Sequence, residues 1–256
     1  MAQVRHARLK QQIIDTCLKL NELGVNQGTS GNVSVRQDDY LLITPSGVRY
    51  DKMRPADIVH LYWDGSYEGP RLPSSEWRFH YDIMRARPDA GAIIHTHSVN
   101  CTALACNGKG IPAFHYMIGV AGGDSIRCAP YATYGTQALS DNALAALKDR
   151  RACLLSNHGM ICFSDDLQKA LGLAVEVETL ARQYILALEI GRPKLLTKAE
   201  MKKVVSQFQS YGKAPEDIPK GAVQAFEAPP RRDTRRKRAP ATKARPATRR
   251  RTRATT

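Results

Sequence analysis

The chain has no uninterrupted apolar segment near the ~20 residues that a membrane-spanning helix requires. Its longest charge-free stretch, residues 91–108, contains histidine, threonine, serine and asparagine, so it is not typical of a membrane span. No C-x-x-C pair occurs among the six cysteines, and the N-terminal residues show no apolar signal core. These absences exclude a membrane protein and argue against a secreted, disulfide-built one. They predict reduced thiols in a cytoplasmic protein.

Excess charge is also scarce over most of the chain. The formal net charge is +14, but residues 228–256 hold 12 Lys/Arg against one acid, Asp233, so the first 227 residues carry only +3. From Pro229 onward there is almost no apolar side chain to offset the entropy of ordering. We therefore predict a folded domain over residues 1–220 and a basic, disordered tail over residues 221–256. The tail permits weak, non-specific contact with nucleic acid or another anion, but it has no aromatic residue from Pro229 onward to stack on bases.

Hydrophobic periodicity predicts the elements of the folded part. Short runs bounded by small-residue turns predict strands, and longer runs with apolar residues three and four apart predict helices. The strands are predicted over residues 33–36, 40–44, 58–63, 91–97, 152–156 and 160–163. The helices are predicted over residues 5–23, 76–87, 98–106, 136–149, 167–190 and 197–210. This order predicts an α/β chain of the α+β-like kind, with a mixed or antiparallel sheet covered by helices.

Three histidines form a candidate metal site. His95 and His97 lie in one predicted strand and point to the same face, because side chains alternate with a period of two. An H-x-H pair alone is about as often a pair of polar residues at a strand end. His158 lies in a tight turn between two other predicted strands. Three imidazoles in such polar, small-residue settings can make an open zinc site that leaves a position for substrate.

A carboxylate and several small residues surround this candidate site. Glu76 stands at a predicted helix start, where it either complements the helix dipole or serves as a base or fourth ligand. Backbone N–H groups and hydroxyls at that helix start and in two loops offer an anion site, formed by Gly31, Asn32, Ser46, Gly47, Ser74 and Ser75. His6, His60 and His80 show no partner pattern, so we assign them no function.

Seven short segments occur in a fixed order along the chain. They are NQGTSGNVSVR (26–36), LITPSG (42–47), LPSSEWRFH (72–80), IHTH (94–97), IPAFHYM (111–117), CAPYATYGT (128–136) and NHG (157–159). Together they resemble the class II aldolase/adducin family over residues 5–212, and within it the members that cleave L-fuculose 1-phosphate. The resemblance implies the class II aldolase fold, in which a central, largely antiparallel sheet carries helices on both faces. It also implies a homotetrameric ring with active sites at the subunit interfaces.

The resemblance implies a role for each candidate residue. His95, His97 and His158 match zinc ligands, with one ion per subunit, and Glu76 matches a catalytic carboxylate that also binds the zinc when substrate is absent. The six loop residues named above match residues that bind the substrate phosphate. Tyr116 and Tyr211 match tyrosines that serve the aldehyde end of the reaction, on the site of a neighbouring subunit.

The implied reaction is reversible cleavage of a ketose 1-phosphate, such as L-fuculose 1-phosphate, to dihydroxyacetone phosphate and a small aldehyde such as L-lactaldehyde. Zinc suits this chemistry because a Lewis acid stabilises the negative charge left on the phosphate-bearing fragment. An aldolase for 5-deoxy- or 5-methylthio-ribulose 1-phosphate remains open, since it would differ only at the aldehyde pocket.

Two further alternatives are less favoured. An L-ribulose-5-phosphate 4-epimerase of this family tends to carry aspartate where this chain has Glu76. An adducin-like binding module keeps the fold without the metal ligands, whereas all three histidines and Glu76 are present here.

Overall fold

The computed structural model describes residues 2–208, 210–211, 213 and 217–222. Within these ranges the helices are α1 (Ala2–Glu22), α2 (Trp77–Ala86), α3 (Val99–Cys106), α4 (Gln137–Ala146), α5 (Leu167–Ile190) and α6 (Lys198–Gln207). The strands are β1 (Asn32–Arg36), β2 (Tyr40–Ile43), β3 (Val59–Tyr62), β4 (Tyr67–Glu68), β5 (Ala92–Thr96), β6 (Arg127–Ala129), β7 (Ala152–Leu155) and β8 (Gly159–Ser164). From residue 223 onward the predicted basic tail lies outside the described residues, and the domain boundary at residue 220 stays a prediction.

The described strands form one sheet in the order β4-β3-β2-β1-β5-β8-β7-β6. Neighbouring strands run antiparallel, except for the parallel pair of β6 and β7. The predicted fold class, a central and largely antiparallel sheet, is therefore confirmed. The sequence analysis missed β4 and β6, because two and three residues are too few to show an alternation.

Alternate residues of the central strands enter two different apolar cores. On β5, Ala92 and Ile94 belong to a core shared with α1, α3 and α5, whereas Ile93 belongs to a core shared with α2 and α4. Helices therefore cover both faces of the sheet, as predicted. On β1, Val33 and Val35 join the first core, so the polar residues that alternate with them face the side of α2 and α4.

Side chains at the helix starts explain why two of the predicted boundaries are accurate. Asp166 accepts a hydrogen bond from the Lys169 backbone at the start of α5, and Thr197 accepts one from the Glu200 backbone at the start of α6. Such caps satisfy N–H groups that have no partner inside the helix. Among the described residues, no helix has both the length and the apolar character needed to cross a bilayer.

Candidate active site

The end of β5 carries the first two histidines. His95 lies in the strand, paired with Asn32 of β1 on one side and Ile161 of β8 on the other. His97 follows two residues later, and its Nε2 atom lies 3.1 Å from that of His95. The alternation of side chains along an extended chain thus places both imidazoles on one face, as predicted.

The third histidine comes from the tight turn between β7 and β8. Asn157 adopts a left-handed backbone (φ 53°), and His158 follows it with its backbone N–H bonded to the Leu155 carbonyl. A Cβ atom at Gly159 would lie 2.3 Å from the carbonyl oxygen of Thr96, closer than real contacts allow. Glycine is therefore required for this turn to approach the end of β5 and bring His158 to the other two histidines.

Glu76 joins the histidines from the start of α2. Its Oε2 atom lies 3.2 Å from His95 Nε2, and its Oε1 atom lies 3.0 Å from His158 Nε2. One ligand atom from each of Glu76, His95, His97 and His158 can be chosen so that all lie within 4.8 Å of one another. The structure therefore brings together all four residues that the sequence analysis predicted as metal ligands.

The hydrogen bonds around this cluster fit a bound cation. His95 Nδ1 lies 2.8 Å from the Met160 carbonyl, which can only accept, so Nδ1 carries a proton and Nε2 faces the cluster. Glu76 Oε1 is buried, and within the described residues it has no partner with hydrogen-bond geometry. His158 Nε2 lies 3.0 Å from it. Imidazole nitrogens and carboxylate oxygens that converge in this way suit a metal ion.

Electrostatics favour the metal-binding protonation states. Burial alone would raise the pKa of Glu76, but the imidazoles of His95 and His158 outweigh it and hold the pKa well below the ordinary carboxyl value. Burial, with the neighbouring histidines acting in the same direction, lowers the pKa of His97 to about 4. An ionised carboxylate and a neutral imidazole are the forms that bind metals.

Behind Glu76 runs a chain of buried polar side chains. Asn32 Nδ2 donates to Glu76 Oε2 at 3.0 Å, Asn32 Oδ1 lies 2.5 Å from His80 Nε2, and His80 Nδ1 lies 2.7 Å from Ser34 Oγ. Burial, followed by the effect of His95, lowers the pKa of His80 to about 3, so the ring is neutral. We call Ser34, His80 and Asn32 the support chain.

The sequence analysis assigned no function to His80 because its partners are distant in the chain. Ser34 and Asn32 precede it by 46 and 48 residues. The available signal was weak: His80 is four residues after Glu76, and therefore on the same helix face.

Two of the predicted phosphate loops lie side by side. Pro45 and Pro73 form an isolated bridge, and around it the Ser46 backbone donates to the Leu72 carbonyl at 3.1 Å while the Ser74 backbone donates to the Thr44 carbonyl at 3.0 Å. These two N–H groups are therefore already used. Exposed donors remain in this conformation on Ser46, Gly47 and Ser75.

The other three predicted phosphate residues are buried next to the metal ligands. Ser74 Oγ accepts a hydrogen bond from the Glu76 backbone, and the Asn32 amide is engaged at both ends by Glu76 and His80. The Gly31 carbonyl accepts a hydrogen bond from the Tyr50 hydroxyl. A Cβ atom at Gly31 would lie 2.5 Å from the His95 carbonyl, so glycine permits the close approach of β1 to β5.

The two predicted tyrosines lie apart from the metal cluster. Tyr116 begins the 3₁₀ helix Tyr116–Ala121 and is 50% exposed, and Tyr211 is 58% exposed. Phe208 connects their surroundings: its ring contacts that of Tyr211 and packs against Gly119 of the 3₁₀ helix. In the part of the chain that the structure describes, neither tyrosine contacts Glu76 or the three histidines of its own subunit.

Comparison with known proteins shows the family to which this chain belongs. The class II aldolase and adducin N-terminal domain matches residues 11–185. The chain belongs to this family. Class II aldolases are metal-dependent, and Glu76 with the three histidines is a group that can bind the metal.

Relatives with about half of their residues identical are aldolases. The chain is 52% identical over 204 residues to the 5-methylthioribulose-1-phosphate/5-deoxyribulose-1-phosphate aldolase of Rhodospirillum rubrum, covering 80% of this chain and 92% of that one. It is 51% identical over 206 residues to the L-fuculose phosphate aldolase of Escherichia coli K12, covering 80% and 96%. A solved L-fuculose 1-phosphate aldolase superposes with a TM-score of 0.77 at 42% identity, covering 79% and 96%. The chain is therefore a class II aldolase, which makes it a lyase.

Proposed function

We propose that this class II aldolase uses zinc, one ion per subunit, to cleave a ketose 1-phosphate reversibly to dihydroxyacetone phosphate and a small aldehyde. The observation that carries the proposal is the convergence of His95, His97, His158 and the Glu76 carboxylate within 4.8 Å. Three imidazole nitrogens and one carboxylate oxygen suit the tetrahedral coordination of zinc. The same donor set argues against an adducin-like binding module, which would need no such ligands.

In this proposal, Glu76 is the base. When bound, the ion supplies Lewis-acid stabilisation of negative charge on the substrate oxygens. Glu76 Oε2 accepts a hydrogen bond from Asn32, whereas Oε1 faces the cluster 3.0 Å from His158 Nε2 and is the oxygen proposed to accept the proton. In the condensation direction Oε1 removes a proton from the hydroxyl-bearing carbon of dihydroxyacetone phosphate, and in cleavage it returns that proton.

The phosphate is proposed to bind in the loops beside Glu76. Ser46, Gly47 and Ser75 offer exposed donors, and Gly31, Asn32 and Ser74 complete the predicted set from the buried side. A phosphate held there lies away from the reacting carbons, so its binding energy serves to position the substrate.

The aldehyde end is proposed to meet Tyr116 and Tyr211 of a neighbouring subunit in a homotetrameric ring. Support comes from the exposure of both tyrosines and their lack of described contact with the metal cluster of their own subunit. A cytoplasmic location stays a prediction from the sequence.

Mixed oligomers test the shared site. Glu76→Gln and Tyr116→Phe subunits should each be impaired alone, but an equal mixture that has exchanged subunits should regain activity in about a quarter of its sites, because a C4 ring then pairs intact residues from different subunits. Activity is measured before and after subunit exchange, and sedimentation checks for a tetramer. No gain after demonstrated exchange would place both residues in the same subunit's site.

The substrate must be identified by a direct assay. The chain is 52% and 51% identical to two aldolases named for different substrates, so identity does not favour either substrate. We expect dihydroxyacetone phosphate from at least one of L-fuculose 1-phosphate, 5-deoxyribulose 1-phosphate and 5-methylthioribulose 1-phosphate. Activity should vanish after dialysis against a chelator and return with zinc, because the ion holds charge that the residues alone cannot. Cleavage of none of the three sugars would overturn the aldolase proposal, and interconversion of L-ribulose 5-phosphate would favour the epimerase alternative.

A further inference from the structure

We propose that His80 is a positioning residue for the aldol reaction: it locks the Asn32 amide, which in turn holds the Glu76 carboxylate in its working orientation. The inference rests on the proposed role of Glu76 as base and metal ligand. It adds a buried histidine whose ring nitrogens bond to Ser34 and Asn32 and which does not contact the substrate in the proposed mechanism.

The support chain and Glu76 together form two interlocking pairs. Asn32 and Ser34 are two residues apart on β1 and therefore share one face of the sheet. Glu76 and His80 are four residues apart at the start of α2 and therefore share one face of the helix. The two faces meet, and all four residues are at most 5% exposed.

Only one set of hydrogen-bond directions gives every group of the support chain a suitable partner. An ionised carboxylate only accepts, so Asn32 must turn its NH₂ group toward Glu76 and its carbonyl oxygen toward His80. His80 Nε2 must then carry the proton. Because the neutral ring has one N–H, His80 Nδ1 accepts, and the Ser34 hydroxyl donates to it.

The orientation of the Asn32 amide therefore depends on the His80 donor. If His80 could not donate, the Asn32 carbonyl oxygen would be buried without its partner, and the amide could turn its oxygen toward the Glu76 carboxylate. Glu76 would then lose the hydrogen bond from Asn32 that fixes the position of Oε2. We therefore expect loss of His80 to lower kcat and zinc affinity more than it raises KM, because Ser46, Gly47 and Ser75 keep their exposed positions in the phosphate loops.

Two substitutions at one position separate positioning from simple packing. His80→Leu fills the space without a donor, whereas His80→Gln keeps an amide donor near the original Nε2. In the zinc-loaded enzyme we expect His80→Leu to lower kcat and zinc affinity by about 10-fold each, within the range seen for residues that support metal ligands. KM should change less than kcat, and His80→Gln should recover most of both losses.

The matched control is His60→Leu. His60 is a half-buried histidine on β3 whose ring packs on Tyr40, away from the four ligands. This variant should keep the wild-type kcat. Wild-type kcat and zinc affinity in His80→Leu, or equal losses in His80→Leu and His80→Gln, would overturn the proposal.

A spectroscopic measurement covers the case in which His80→Leu does not fold. In zinc-loaded wild-type enzyme with ¹⁵N-labelled histidine, His80 should appear neutral near pH 7, protonated at Nε2 and unprotonated at Nδ1. Ser34→Ala should weaken this tautomer preference. A proton on His80 Nδ1 in the wild type would contradict the proposed hydrogen-bond directions of the support chain. If the wild type cleaves no ketose 1-phosphate, the proposed function fails, but zinc affinity and the ¹⁵N spectrum still decide whether His80 positions Glu76.

Discussion

Replacing Glu76 with glutamine should lower kcat by about 10²–10⁴-fold, the usual range for loss of general acid–base catalysis. Glutamine has nearly the same size and keeps an oxygen that could accept from Asn32, but it cannot take a proton from carbon at neutral pH. The phosphate loops are unchanged, so KM should change much less than kcat. Steady-state cleavage of whichever ketose 1-phosphate the wild type accepts provides the measurement.

A control shows whether the effect belongs to the site. Glu22→Gln removes an exposed carboxylate on α1 that pairs only with Lys19 within the described structure, and it should leave kcat unchanged. Zinc content should be measured for both variants, since Glu76 is also a proposed ligand. A Glu76→Gln enzyme that keeps zinc and retains more than about a tenth of the wild-type kcat would exclude Glu76 as the base.

Local periodicity and the family resemblance together predicted the candidate metal cluster. His95 and His97 are two apart on a strand, so their common direction follows from backbone geometry alone. The turn that carries His158 could be read from Asn157 and Gly159, and it does bring the third imidazole to the first two. The order of the strands could not be read this way, because periodicity says which residues share a face but not which strands are neighbours.

Residues whose partners are remote in the chain could not be predicted. His80 looked like an ordinary helix residue until β1 was placed against α2, and only then do Ser34 and Asn32 reach its two ring nitrogens. Asn32 was predicted as part of a phosphate loop, and the structure adds that its side chain is bonded to Glu76 in this conformation. Both observations depend on contact of β1 with α2 across 44 to 48 residues of chain, which no local pattern encodes.

Gly159→Ala should damage both stability and the metal site. The added methyl group would lie 2.3 Å from the Thr96 carbonyl and 3.2 Å from the His97 Cα, so either β8 or the end of β5 must shift. Overpacking of this kind costs about 1–3 kcal/mol of unfolding free energy. The shift also moves His158 relative to the other ligands, and a misplacement near 1 Å can cost about 10²-fold in kcat.

Gly172→Ala is the matched control for this substitution. Gly172 lies inside α5, and a Cβ atom there would meet nothing within 4 Å. Alanine in a helix interior is favoured over glycine, so this variant should gain about 0.5–1 kcal/mol and keep normal kcat. In a folded part of this size the melting temperature should rise by roughly 1–4 °C for Gly172→Ala and fall by roughly 2–12 °C for Gly159→Ala. If Gly159→Ala were as stable and as active as Gly172→Ala, close approach of the His158 turn to β5 would not be what assembles the site.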